Sequence, residues 1–239
     1  MKYIMLAWVL GGCLIPSISS AETLTKPASV QACAPSVLPI DGNQLWVDKQ
    51  GTGNVTVVFE SGFGNDSSVW AQITPSIRAA GAQTLVYDRA GLGKSSINTA
   101  TPYSFDNDVQ LLRAVLTACG VKGPIVMVGH SYGGAISLLA AAEDHRIKAV
   151  VLLDAVVPGV WPKSELDANL KTMRAQYKEI REQAPDLAKV AIPWAEAMPA
   201  TAARVDGLRL AESLPIVDIV AEKGRDNPAS QQVWRNAHA

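Results

Sequence analysis

The sequence predicts an α/β protein: a doubly wound, mostly parallel sheet carrying one helical lid insertion. Three observations carry this expectation. Short β-branched runs alternate with helical segments from Val55 to Leu153, as right-handed strand–helix–strand crossovers require. Those runs are continuously apolar rather than alternating in and out, the pattern of strands covered by helices on both faces. The alternation stops over residues 159–212 and resumes at Pro215–Val220, so a helical segment interrupts a single sheet.

The elements follow in chain order. Lys2 precedes an apolar run, Ile4–Ile15, and small residues at Ser19 and Ala21 follow. Residues 1–21 therefore read as a secretory signal peptide cleaved after Ala21, and the run is short for a bilayer span. Val9-Leu10-Gly11-Gly12-Cys13 resembles a bacterial lipobox, so lipid anchoring through Cys13 is the alternative. The expectation is an exported protein, periplasmic or secreted, with no stable membrane span once the signal is removed. Residues 22–43, rich in Ser, Thr, Pro and Ala, read as an extended leader. Residues 44–158 and 213–239 form the expected core, and 159–212 the lid or cap.

Within the core, Val55–Phe59, Thr84–Tyr87, Ile125–Val128, Ala149–Leu153 and Pro215–Val220 are strand candidates. Trp70, Ile73 and Ile77 fall at helical spacing. Ser104 is placed to cap a helix whose face is Val109, Leu112 and Leu116. An Ala-rich helix runs from Gly134 to Glu143, and a last one is expected from Pro228. The insertion carries Leu166, Leu170, Met173, Tyr177 and Ile180, divided by Pro185, Pro193 and Pro199. Trp161, Met173, Trp194 and Met198 are candidates either for an apolar pocket beneath it or for its own small core.

Composition narrows the function. With 239 residues, 48% of them hydrophobic, the chain has ample material for a core. A formal net charge of -1 argues against a phosphate-tracking surface, so nucleic acid is not an expected partner. Three cysteines without a repeated Cys-x-x-Cys give no structural metal site, and no cofactor is expected. Removing the signal leaves Cys33 and Cys119, and their spacing leaves both a disulfide and a buried thiol open.

The sharpest motif is Gly129-His130-Ser131-Tyr132-Gly133, a Gly-x-Ser-x-Gly between a strand and a helix. A turn this tight strains the serine backbone and projects its hydroxyl above the sheet, while Gly129 and Gly133 avoid clashes beside it. Ser131 would then sit at a helix amino end, where the Tyr132 N–H and the helix dipole favour developing negative charge. The plain alternative is a serine capping an ordinary helix. Asp88–Ser95 ends in Gly93-Lys94-Ser95, but a phosphate-binding loop needs glycine where Asp88 stands.

Four ordered blocks resemble the α/β-hydrolase fold superfamily: Phe59–Gly64, Tyr87–Ser95, Gly129–Gly134 and Val151–Asp154. The resemblance covers about residues 44–157 and 213–238. It is specific for fold and says little about substrate. It implies that Phe59–Gly64 is the oxyanion loop, with Ser61 where many members carry His. It also implies an oxyanion hole from the N–H groups of Phe63 and Tyr132, each such donor contributing on the order of 3 kcal/mol to the transition state.

A serine nucleophile needs a base, and the base an orienting acid. The family's order of Ser, acid, His leaves two acids, Asp226 after the last strand and Asp154 at the end of the preceding one. The histidines are His130 beside the nucleophile, His145 at the far end of the sheet, and His238 in the last helix. Only His238 has the right order, and the chain reads as lacking the C-terminal strand and the histidine that would follow it. The leading expectation is an exported serine hydrolase acting on an ester, thioester or amide of a small molecule with an apolar acyl or alkyl part. A serine at the nucleophile position disfavours dehalogenase and epoxide hydrolase chemistry. The alternatives are a hydrolase-like scaffold that binds a small ligand without turnover, or cofactor-free peroxidase-like or acyl-transfer chemistry on the same site.

Overall fold

The computed structural model describes residues 33–222 and 228–239. The expected signal peptide, Cys13 and Asp226 lie outside the described residues. Seven strands form one sheet in the order β1-β2-β4-β3-β5-β6-β7. They are β1 (Ser36–Ile40), β2 (Asn43–Gln50), β3 (Thr56–Glu60), β4 (Gln83–Tyr87), β5 (Ile125–His130), β6 (Ile147–Leu153) and β7 (Ile216–Ile219). From β4 through β3, β5 and β6 to β7 the pairing is parallel, and β1 and β2 join antiparallel at one edge. The helices are α1 (Thr74–Ala79), α2 (Phe105–Ala118), α3 (Tyr132–Glu143), α4 (Lys163–Gln183), α5 (Pro185–Asp206) and α6 (Pro228–Ala237).

The apolar runs behave as expected at the centre of the sheet. Every residue of β3 is buried. Leu85, Met127, Val150 and Leu152 face the α2–α3 layer, while Val57, Phe59, Val86 and Val128 face the other layer with Trp70. Ser104 caps α2, its hydroxyl accepting the Asn107 amide at 3.1 Å.

Three features depart from the sequence expectations. The segment 22–43 contributes strand β1, and Asp41-Gly42, with φ of 49° and 77°, forms the two-residue turn into β2. An apolar run of only five residues containing Pro39 gave too little periodicity to reveal it. Pro193 and Pro199 do not divide the insertion: both lie inside α5. An interior proline costs about 3 kcal/mol of helix stability, which burial of Val190, Ala195, Met198, Ala202 and Val205 offsets. Finally, β7 is exposed along its whole length, with Val217 and Ile219 more than half accessible. The sequence marks it as a strand without saying which neighbours cover it, and it is the edge of the described sheet.

Cys33 and Cys119 form a disulfide that ties the start of β1 to the end of α2 across 86 residues. Closing a loop of that length restricts the unfolded chain by about 4–5 kcal/mol. Within the insertion, Arg174 of α4 grips Glu196 of α5 through two hydrogen bonds of 2.8 and 2.5 Å. Leu166, Met198 and Ala202 form a small core there with Met173 and Trp161 against them. No described helix is long and apolar enough to cross a membrane.

Candidate active site

Ser131 stands between β5 and α3 with φ 50° and ψ −122°, a conformation that a non-glycine residue holds only when its surroundings enforce it. The enforcement is visible. Its amide donates to the Leu153 carbonyl at 3.1 Å, and its carbonyl accepts from Gly134 and Val156 at 2.9 and 2.8 Å. A Cβ on Gly129 would lie 2.7 Å from the Gly133 carbonyl oxygen, and one on Gly133 would lie 2.2 Å from that of Glu60. The two motif glycines are therefore required by space, and the elbow packs backbone against backbone with the loop after β3.

That loop is Ser61-Gly62-Phe63-Gly64. Ser61 is a structural anchor: its hydroxyl accepts from Trp70 Nε1 at 2.8 Å and donates to the Asp66 carbonyl at 3.1 Å. The loop's carbonyls point inward to Arg89, whose Nη1 and Nη2 donate to Ser61 O and Gly62 O at 2.5 and 2.6 Å. In a trans peptide the following N–H points opposite to its carbonyl, so Arg89 turns the Phe63 N–H away from the core. The Tyr132 N–H belongs to the first turn of α3, where amides have no helical partner and the dipole is positive. Neither amide donates to any described acceptor. The Ser131 hydroxyl likewise has no described hydrogen-bond partner, and the residue is half-buried.

Arg89 is held by its own shell. Glu60 accepts from Arg89 at 2.7 Å and from the Tyr87 hydroxyl at 2.6 Å. Both members of the pair are buried. Burial raises the Glu60 carboxyl above its ordinary value, offset only in part by Arg89 and Tyr87. Burial opposes the charge on Arg89 too, but Glu60, Asp108 and Tyr87 outweigh it and hold the guanidinium above its usual value. Asp88 works separately, accepting the amides of Ser67 and Lys94 at 2.8 and 2.9 Å. Its carboxylate fills the loop where a phosphate would have to sit, and Lys94 turns its ammonium over the Trp46 ring. Nucleotide binding at Gly93-Lys94-Ser95 is thereby disfavoured.

From above, α5 lays Trp194 on Phe63, the rings stacked at 3.8 Å, with Tyr132 edge-on to Trp194 at 5.8 Å. Helix α5 thus packs on Phe63 of the loop after β3 and on Tyr132, the residue that follows the strained serine.

Residues 55–191 match the family described as the alpha/beta hydrolase fold. The chain belongs to the alpha/beta hydrolase fold family. It is 39% identical to the Bacillus subtilis protein YqjL over 107 residues, 44% of this chain and 42% of that protein. It is 45% identical to the lipase LipV of Mycobacterium tuberculosis over 71 residues, 29% of this chain and 26% of that one. The matches thus span less than half the length of these relatives. Among solved structures, the Cif epoxide hydrolase of Acinetobacter nosocomialis superposes with a TM-score of 0.64 at 17% identity, over 84% of this chain and 76% of that one. At that identity the likeness speaks for the fold alone.

The alpha/beta hydrolase order of acid and histidine meets the following geometry. Asp154, with φ 44°, directly follows β6. Its Oδ1 accepts from Trp234 Nε1 at 2.9 Å and from the Ala221 amide at 3.3 Å, so it ties α6 and the end of β7 to the sheet. His238 follows α6, with Nδ1 2.6 Å from Asp218 Oδ2 and Nε2 3.0 Å from the Ala155 carbonyl oxygen. A carbonyl oxygen only accepts, so Nε2 is held as a donor and offers no lone pair to Ser131 in this arrangement. His130 lies against the loop after β3: a Cβ on Gly62 would be 2.8 Å from its Nδ1. His145 is exposed beyond α3. The structure brings Ser131, Phe63, Tyr132, Gly129 and Gly133 together and sets no described histidine on the Ser131 hydroxyl. No described cluster of His, Cys, Asp or Glu is arranged to hold a metal. Sequence reasoning missed Glu60, Tyr87 and the role of Arg89, since polar groups spread over two strands and a loop carry no local signature.

Proposed function

We propose that Ser131 is the nucleophile of a serine hydrolase that cleaves an ester, thioester or amide bond through an acyl-serine intermediate. The observation that carries this reading is the strained Ser131 backbone beside two unengaged amides, Phe63 and Tyr132, with their loop pinned from behind by Arg89. In this reading the Ser131 oxygen attacks the carbonyl carbon, and the oxyanion is received by the two N–H groups. A base accepts the hydroxyl proton and returns it to the leaving group as the acyl-serine forms. Water then attacks the acyl carbon and frees Ser131. The substrate is a small molecule with an apolar acyl or alkyl part, in keeping with the aromatic cover of Phe63, Tyr132 and Trp194. His238 serves as base only if Nε2 leaves the Ala155 carbonyl; Asp226 and Asp154 are the candidate acids. Export is also proposed, from the basic-apolar start of the chain, and the Cys33–Cys119 disulfide supports an oxidising compartment.

A second reading, a hydrolase-like protein that binds its ligand without turnover, is favoured by the absence of any described histidine at Ser131. Rapid mixing with p-nitrophenyl butyrate separates the two. The hydrolase reading expects a stoichiometric burst of nitrophenolate and a butyryl adduct on Ser131, both lost in Ser131→Ala. No burst and no adduct with folded protein favours the binder. If His238 is the base, His238→Ala abolishes the burst; if it only docks α6, the burst survives and the melting temperature falls.

A further inference from the structure

A chamber of about 260 Å³ lies beside Phe63 of the loop after β3, between the β1–β2 turn, the start of α2 and α5. Phe63 and Tyr132, whose amides the hydrolase reading assigns to the oxyanion, line it, and Ser131 itself does not. Its chemistry is one-sided. Arg89 is the sole cation among the described lining residues, and its guanidinium is already committed to Glu60, Ser61 O and Gly62 O. An anionic ligand would therefore meet no free positive charge.

Two carboxylates line the same space, Asp108 in the first turn of α2 and Asp41 on the β1–β2 turn. Asp108 Oδ2 lies 2.9 and 3.0 Å from the hydroxyls of Tyr103 and Tyr132, which also touch each other, and with one proton apiece the two hydroxyls donate to two of these three contacts at a time. Oδ1 makes no hydrogen bond among the described residues. No described buried side-chain oxygen lacks a partner, so Oδ1 is accessible, and Asp108 lines the chamber. An acceptor oxygen on a carboxylate, walled by the Tyr132 and Trp194 rings, suits a group that both carries positive charge and donates N–H bonds.

We propose that this chamber receives a primary ammonium group at the non-reacting end of the substrate's acyl portion, with Asp108 as the residue that selects it. The proposal rests on the hydrolase reading of Ser131 and names the substrate class for that site: esters or amides of ammonium-bearing acyl groups. Burial raises the Asp108 carboxyl despite Arg89 and the two tyrosines, and a bound cation would favour its charged form.

The test compares two p-nitrophenyl esters alike in chain length, 6-ammoniohexanoate and heptanoate, which exchange an ammonium for a methyl group. The proposal expects a preference of at least about tenfold in kcat/KM for the ammonium ester, the lower end of what a hydrogen bond to a charged group contributes, and its collapse to within about twofold in Asp108→Asn. Equal rates, a preference for heptanoate, or a preference that survives Asp108→Asn overturns it. Binding of n-butylammonium against 1-butanol is measured in parallel by titration calorimetry on the wild-type protein and on Ser131→Ala. Saturable binding of the amine alone supports the chamber even if neither ester is cleaved, in which case the hydrolase reading fails and the chamber stands. Equal binding of the two, or none, overturns the chamber whether or not Asp108→Asn folds.

Discussion

Replacing Arg89 with methionine should destabilise the protein by about 3–5 kcal/mol, the cost of leaving a buried charge partner alone. Glu60 would lose its Nη1 contact, the Ser61 carbonyl its Arg89 donor, and the Gly62 carbonyl the shorter of its two bonds, keeping only the Asn65 amide at 3.3 Å. The double variant Glu60→Gln/Arg89→Met should be less damaged than Arg89→Met, because its carboxamide needs no counter-charge. The pH dependence has a definite sign. The folded-state Glu60 carboxyl is raised by burial, and losing Arg89 raises it further. A raised acid binds its proton more tightly when folded, so stability falls as pH rises from the unfolded carboxylate value towards the raised one. The deficit of Arg89→Met should be smallest in acid and grow towards neutrality. Urea unfolding at pH 4 and 7 checks this; a deficit below about 1 kcal/mol, or one that shrinks with rising pH, would contradict the assigned role.

Gly133→Ala should remove catalysis more thoroughly than its size suggests. Its Cβ would stand 2.2 Å from Glu60 O and 2.5 Å from Ser61 O, both backbone atoms that cannot swing aside. The loop must retreat, and the Phe63 amide retreats with it. Loss of one aligned donor lowers acyl transfer by roughly 100- to 1,000-fold, and forced repacking costs about 1–3 kcal/mol. Acylation rates with p-nitrophenyl butyrate and urea midpoints, measured together, distinguish the two effects. A variant within threefold of wild type in acylation would show that the loop does not supply a donor.

The fold was legible because its strands are contiguous in sequence and its elbow is a local motif. Five strands and the Ser104 cap follow from periodicity and side-chain chemistry over a few residues. The first hairpin was not, since its signal is the Asp41-Gly42 pair between two short runs, and its place at the sheet edge is set by pairing with β4, about 40 residues away. At the site, Gly129, Ser131 and Gly133 declare themselves by spacing. Glu60, Tyr87, Arg89 and Asp108 do not, because each is unremarkable alone and gains its meaning from the crossing of β3, β4, the following loop and α2. Cys33 and Cys119 belong to the same kind: spacing left two readings open, and only the packing of β1 against α2 joins them. The acid and base are the least settled by local pattern, since Asp154 serves Trp234 and His238 serves Asp218 and Ala155.

The most direct test of the central claim, that the fold activates Ser131, is labelling by an alkyl fluorophosphonate followed by intact-mass and peptide analysis. The predicted result is a single adduct on Ser131, absent from urea-unfolded protein and from Ser131→Ala. Folded protein that stays unlabelled under prolonged exposure, or an adduct on any other residue, would contradict it.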